Sequence, residues 1–237
     1  MWNEKFTYTL LLVGSIIFPL LFSFEKKICF IQFRKPIFWA ILIPGVFFII
    51  WDVLFTKLGF WSFNSAFTFE PRFLELPIEE WLFFVVIPYC SLFVYEVLKF
   101  YMPNLDFNKP LKLFLWTVSI SLLVIGILEF GAWYTFICLG TTAIVLFAIL
   151  IEKSMDAKLT HFVIAFLISC LPMFVVNGVL TALPVVEYNQ QYFSGLRIGT
   201  IPVEDFCYFL LLFSMNVFVY EKAKKKLLKQ PKLKQQP

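Results

Sequence analysis

Seven long apolar runs occupy most of this chain, at roughly 7–24, 36–55, 78–97, 111–130, 132–151, 160–180 and 203–220. A run of about 20 residues, rising 1.5 Å per residue, crosses the roughly 30 Å hydrocarbon core of a bilayer. Lipid offers the backbone no hydrogen-bond partners, so such runs are expected to be α-helices. Pro19, Pro44, Pro88, Pro172 and Asn177 interrupt several of them. Membrane helices tolerate such residues where neighbours re-satisfy the backbone. Composition leaves no soluble alternative. The chain is 60% hydrophobic and 15% charged, against about 45–50% and 25% for a soluble domain. That excludes an ordinary soluble enzyme, a disordered chain and a nucleic-acid binder. The expected fold class is all-α, a polytopic membrane protein of seven transmembrane helices with the lipid bilayer as its first partner.

The basic residues give an orientation. Lys26, Lys27, Arg34, Lys35, Lys99, Lys109, Lys112, Lys153 and Lys158 fall on the same side as a tail carrying seven lysines between 222 and 237. Only Lys5, Lys57, Arg72 and Arg197 fall on the other side. Positive charge accumulates on the cytoplasmic face. The C-terminus is therefore expected in the cytoplasm, and the N-terminus and the 57–77 and 182–202 loops on the opposite face of the cell (inner) membrane. The tail lysines suggest contact with anionic headgroups. The N-terminal run has no small-residue cleavage site and reads as a retained helix. Five scattered cysteines and one histidine, His161, show no metal-ligand spacing, so no metal site is expected.

An internal repeat organises the chain. Residues 49–96 align with 174–221 at an offset of 125 without a gap. Asn64/Asn189, Arg72/Arg197, Pro77/Pro202, Glu79/Glu204 and Glu96/Glu221 match in register, and Asp52/Asn177 and Glu80/Asp205 are chemically close. The architecture is then a parallel 3+1+3 repeat. A first three-helix unit occupies 1–100, a linker helix 101–131, a second unit 132–222 and a basic cytoplasmic tail 223–237. Both polar loops land on one face.

Ionisable residues inside a membrane mark function. Each repeat carries the same set: Asp52 or Asn177 near a helix end, then Asn64 or Asn189 and Arg72 or Arg197. Pro77-Ile78-Glu79-Glu80 and Pro202-Val203-Glu204-Asp205 follow. Proline and an early acid also make a good helix start, but two copies in register with Asp52 and Asn177 favour a site. Fifteen uncharged residues separate Glu80 from Glu96, and Asp205 from Glu221. They span about 22 Å, so the paired acids must sit at the interface or the bilayer must thin. Tyr95-Glu96 and Tyr220-Glu221 read as interfacial anchors at the cytoplasmic helix ends. No GxGxxG or P-loop occurs, no paired aspartate-rich motifs for a diphosphate, and no lysine within span 7 for a retinal Schiff base. Carboxyl groups in an apolar, aromatic-rich site suit acid-started carbocation chemistry on a lipid-soluble polyene. A carboxylic acid in such surroundings keeps its proton and can deliver it to an alkene, and aromatic faces stabilise the cation. Protonation followed by deprotonation is an isomerisation, so no cofactor is expected.

Trp51-Asp52, Trp61-Ser62-Phe63-Asn64 and Leu76-Pro77-Ile78-Glu79-Glu80-Trp81-Leu82-Phe83-Phe84, with Pro202-Val203-Glu204-Asp205 in the second half, resemble the small membrane lycopene cyclases in their fused, single-chain form. The second half departs upstream, where Val176-Asn177 replaces Trp51-Asp52. The resemblance implies ring closure at the linear ends of lycopene, giving β-carotene via γ-carotene. Related members make ε-rings or use C50 substrates. It also implies lycopene as the partner molecule, association with other enzymes of carotenoid biosynthesis, and no flavin. The expected acid/base set is Glu79, Glu80, Glu204, Asp205 and Asp52. Asp52 is the expected proton donor because Asn177 cannot act as an acid, and Glu79 and Glu204 are expected to be bases or cation stabilisers. Trp51, Trp61, Asn64, Arg72, Asn177, Asn189 and Arg197 are expected to support substrate and carboxylates. A seven-helix proton-coupled or sugar-type transporter is the alternative, though the Pro-Gln element of the sugar carriers is missing from the spans.

Overall fold

The computed structural model describes residues 4–70 and 72–229. Its helices are α1 (Thr7–Phe22), α2 (Arg34–Lys57), α3 (Ile78–Tyr101), α4 (Asn108–Leu128), α5 (Trp133–Ile151), α6 (Leu159–Ala182) and α7 (Val203–Leu228). With the 3-10 turns leading into α1, α2 and α6, all seven are long and apolar enough to cross a membrane. Exposed Phe18, Leu21, Leu113, Ile144 and Leu171 belong to the surface that lipid would cover. The chain is thus an all-α, multi-pass membrane protein. Hydropathy alone did not reveal two small antiparallel ribbons: β1 (Trp61–Phe63) with β2 (Val186–Tyr188), and β3 (Arg197–Ile198) with β4 (Ile201–Pro202).

The repeats are related by a pseudo-two-fold axis that passes through the first ribbon. Ser62 pairs with Glu187, its own counterpart at the 125-residue offset. Flanking bonds obey the same symmetry: Asn64 N donates to Val185 O (3.0 Å) and Asn189 N to Phe60 O (2.8 Å). The helices follow. α1 packs on α3 and α5 on α7, whereas α2 packs on α7 and α6 on α3. The second helix of each repeat therefore crosses to the third helix of the other, and the halves interleave. α3, α5 and α7 are the most buried helices, α1 and α4 the least. Linker helix α4 lies along α5. A Cβ on Gly126 would come within 3.3 Å of Leu139 Cβ, the close approach that small residues allow between membrane helices.

At the ends of α3 and α7 distant from the loops, Tyr95, Tyr220, Glu96 and Glu221 are buried, which corrects their reading as interfacial anchors. Lys99 donates to Glu96 (3.1 Å) and Glu221 (2.6 Å), and the Tyr95 hydroxyl donates to Glu221 (2.9 Å). Lys158 and Lys224 pair with Glu221 and Glu96. This clasp compensates the buried carboxylates within the protein, so the short uncharged stretch of α3 requires no thinned bilayer. α7 runs on to Leu228, and Lys222 pairs with Glu152 (2.6 Å). That hydrogen bond, with the Ser154 N–H, holds the Glu152 carboxyl down at about 2. Two of the tail lysines, Lys222 and Lys224, are thus ion-paired within the protein. Positions 230–237, with Lys232 and Lys234, lie outside the described residues.

Candidate active site

Pro77 and Pro202 immediately precede α3 and α7, with φ of −65° and −54° and extended ψ. Proline fixes φ in this range and lacks the N–H that a helix start leaves unpaired. The acids that follow enter the first helical turn, where successive side chains diverge by about 100°. That divergence separates the members of each pair.

Glu79 and Glu204, both fully buried, turn to the loops. Glu79 Oε1 accepts the Phe69 N–H (3.1 Å). Glu204 Oε1 accepts the Ser194 N–H (2.9 Å) and the Thr135 hydroxyl (2.6 Å). The second oxygen of each has no protein partner. Glu80 and Asp205 instead face a cavity of about 60 Å³ at the pseudo-two-fold axis. Asp52 from α2 and Asn177 from α6 complete its polar wall.

The two sides of the cavity match in outline and differ in chemistry. On one, Tyr8 OH donates to Glu80 Oε2 (2.6 Å) and Tyr208 OH to Asp52 Oδ1 (2.6 Å). Asp52 and Glu80 lie within side-chain hydrogen-bonding reach of each other. Two carboxyls share a hydrogen bond only when one of them carries a proton. On the other side, Asp205 receives Tyr134 OH (2.8 Å), Tyr188 OH (2.8 Å) and Asn177 Nδ2 (3.2 Å). Three donors suit an ionised carboxylate, which can only accept. Burial, and next the Asp205 charge, push the Tyr188 phenol well above its ordinary range. Tyr188 therefore remains a donor at any working pH.

Aromatic rings form much of the remaining wall. Trp61 meets Tyr134 edge-on at 5.2 Å and Tyr188 at 6.1 Å. Phe63 and Phe83 also line the cavity. Trp51 stands behind it, edge-on to Tyr208 at 5.9 Å, and so supports the wall from outside. The hydrogen bonds of the polar loop residues go elsewhere than expected. Asn64 and Asn189 each cap a turn through the N–H two residues on (2.9 and 3.1 Å). Arg72 donates to the Phe63 carbonyl and Arg197 to the Thr200 carbonyl. These four shape the loops over the site and form no hydrogen bond to its carboxylates; Asn64 also donates to Glu187 (3.5 Å), and Arg72 pairs with Glu70 (3.5 Å).

Sequence reasoning missed Tyr8, Tyr134, Tyr188 and Tyr208. For the first two a signal exists. Tyr8-Thr9 and Tyr134-Thr135, with Gly14 and Gly140 downstream, repeat at an offset of 126. The stretch from Tyr8 to Asp52 is one residue longer than its counterpart from Tyr134 to Asn177, which puts this match out of reach of an ungapped alignment. Tyr188 and Tyr208 have no such signal, since their counterparts are Phe63 and Phe83.

No curated protein and no solved structure matches the chain. A family model described as Lycopene cyclase matches residues 5–98 and again 131–223, once over each repeat. Most of the chain is covered by the two matches, and they meet the interleaved helices whose acids face each other across one cavity; the protein therefore belongs to the lycopene cyclase family.

Proposed function

We propose that the protein closes the linear ends of lycopene to β-rings, giving β-carotene via γ-carotene, by proton-started, non-redox cyclisation. One observation carries the reading. A carboxyl pair able to hold a proton, Asp52 and Glu80, faces a carboxylate with three donors, Asp205, across an aromatic cavity in a member of this family. The pair's proton adds to the terminal double bond of the substrate and leaves a tertiary cation beside it. The next double bond attacks that cation, the ring bond forms, and the charge moves to the ring carbon that bears a methyl. Loss of a neighbouring proton to Asp205 forms the ring double bond. One proton enters and one leaves, so mass and oxidation state are unchanged. Trp61, Tyr134 and Tyr188 present π faces and edges to the cation's path. Glu79 and Glu204 hold the covering loops in place and take no proton in this scheme.

The orientation proposed with it puts the cavity near the non-cytoplasmic face and the Glu96–Glu221 clasp at the cytoplasmic face. The units at 1–100 and 132–222 act as one site, and neither is active alone. Expression in a lycopene-making host tests the reaction, with products separated by chromatography. Turnover in heavy water should add one deuterium for each ring closed, because a carboxyl exchanges its proton with solvent between turnovers. Cyclised product without deuterium would refute the carboxyl mechanism, and no product at all would refute the cyclase assignment.

A further inference from the structure

The cavity at the pseudo-two-fold axis measures about 60 Å³. It cannot hold a carotenoid. A polyene must reach it along a groove between helices; the pseudo-symmetry relates two of these, α1/α3/α6 and its counterpart α5/α7/α2, and a third, apolar and of about 350 Å³, lies between α2 and α3 beside Trp81 and Phe84. The two seams so related are not alike.

In the first, a groove of about 110 Å³ opens among Ser15 of α1, Cys90 and Ser91 of α3, and Ser169 and Met173 of α6. Its walls are the helices that carry Tyr8, Glu80 and Asn177 to the cavity. Leu12, Phe83 and Val176 belong to one apolar cluster at the junction. Ser169 is buried, and its hydroxyl faces no protein partner. A hydroxyl left so normally costs about 1–3 kcal/mol, and the π face of a conjugated chain in the groove would give it a weak acceptor. Val94 is the α3 lining residue of the groove farthest from Glu80, about 21 Å along the helix, so a chain bound in the groove would run along α3 past Leu12 and Val176.

In the second seam several of the lining residues have bulkier counterparts. Met173 corresponds to Phe48, Val176 to Trp51, Cys90 to Met215 and Ser91 to Asn216. Phe48 stacks on Phe84 at 5.8 Å and meets Tyr208 at 4.9 Å. α5, the counterpart of α1, is also held from outside by α4. α1, packed mainly on α3, has no such helix outside it and is among the least buried helices. The second seam is filled by these larger side chains and covered by α4, and its buried Asn216, like Ser169, has no hydrogen-bond partner.

We propose that the polyene chain of the carotenoid lies in the α1/α3/α6 seam and not in its α5/α7/α2 counterpart, with its reacting end in the cavity. This rests on the cyclase reading above. It follows that both ends of a symmetrical substrate use one acid in turn. After the first closure the molecule withdraws, reverses and returns with its other end, so the monocyclic product passes through the bilayer as a free intermediate.

The test uses the full-length protein in lipid nanodiscs, supplied with lycopene or with a shortened carotenoid that keeps one acyclic end and stops short of Val94. Ser169→Phe fills the groove, Val94→Trp obstructs its outer end, and Val219→Trp makes the same change at the mirror position. Ser169→Phe should lower kcat/KM for lycopene at least tenfold. Val94→Trp should do the same for lycopene and stay within twofold of wild type on the short substrate. Val219→Trp should stay within twofold on both. Limiting enzyme should release monocyclic product before bicyclic product appears. Val94→Trp at wild-type efficiency on lycopene overturns the proposal, as does an equal loss in Val219→Trp. Bicyclic product formed with no released monocycle also overturns it. Val94 is only half-buried, so this variant carries the test even if Ser169→Phe does not fold. Wild-type protein inactive on both substrates would overturn the cyclase reading itself.

Discussion

Asp52→Asn separates the proton from the architecture. The change gives the first repeat the residue that stands at the same place in the second, Asn177. Asn177 shows what an amide does there: its Nδ2 donates to Asp205 at 3.2 Å. The introduced amide would donate to Glu80 in the same way, and its oxygen would still accept the Tyr208 hydroxyl, now 2.6 Å from Asp52. Each bond exchanged is worth about 0.5–1.5 kcal/mol and is replaced in kind, so thermal stability should be close to wild type. The shared proton, however, is lost. A positioned acid contributes about 10²–10⁴ in rate, which is about 3–5 kcal/mol of activation free energy. Turnover of lycopene in isolated membranes, normalised to protein amount, should fall by that factor with little change in melting temperature. Glu80→Gln should behave similarly, since either member's loss empties the pair. An Asp52→Asn enzyme that keeps more than a third of wild-type turnover would refute the shared-proton argument.

Glu204→Gln keeps the oxygen that accepts from Ser194 and Thr135 and places its amide where the second oxygen has no partner. It should hold turnover within about threefold of wild type, below the range of a lost acid or base, whereas Asp205→Asn should abolish it. Equal losses in both would return Glu204 to the chemistry. Glu221→Gln leaves Lys99 and Lys158 facing a neutral side chain. Breaking such a buried pair should cost about 2–4 kcal/mol, less than the full penalty because the lysines are partly exposed, and thermal unfolding in detergent measures it. A cysteine placed at Ser65 should react with impermeant thiol reagents only from the non-cytoplasmic side, and labelling from the cytoplasm would reverse the proposed orientation.

The helices, their number and the repeat are legible in the linear chain. Lipid leaves an apolar run no other way to satisfy its backbone. Two copies of Pro-x-Glu-Glu/Asp, in register with Asp52 and Asn177, pointed to the ends of α3 and α7 because charge within a membrane is too costly to repeat by accident. Other features depend on directions and neighbours that a linear pattern does not carry. Which acid of each pair faces the cavity is a matter of 100° around a helix. It was decided by the loop N–H groups of Phe69 and Ser194, which take up Glu79 and Glu204. Tyr208 reaches Asp52 across 156 positions, because α2 packs on the other repeat's α7. Tyr95 and Glu221 look like ordinary interfacial residues until α3 and α7 bring them to 2.9 Å. The pseudo-two-fold axis does the same at the site: it turns two similar stretches of sequence into opposite walls of one cavity, and their small differences, Asp52 against Asn177 and Glu80 against Asp205, then decide where a proton sits.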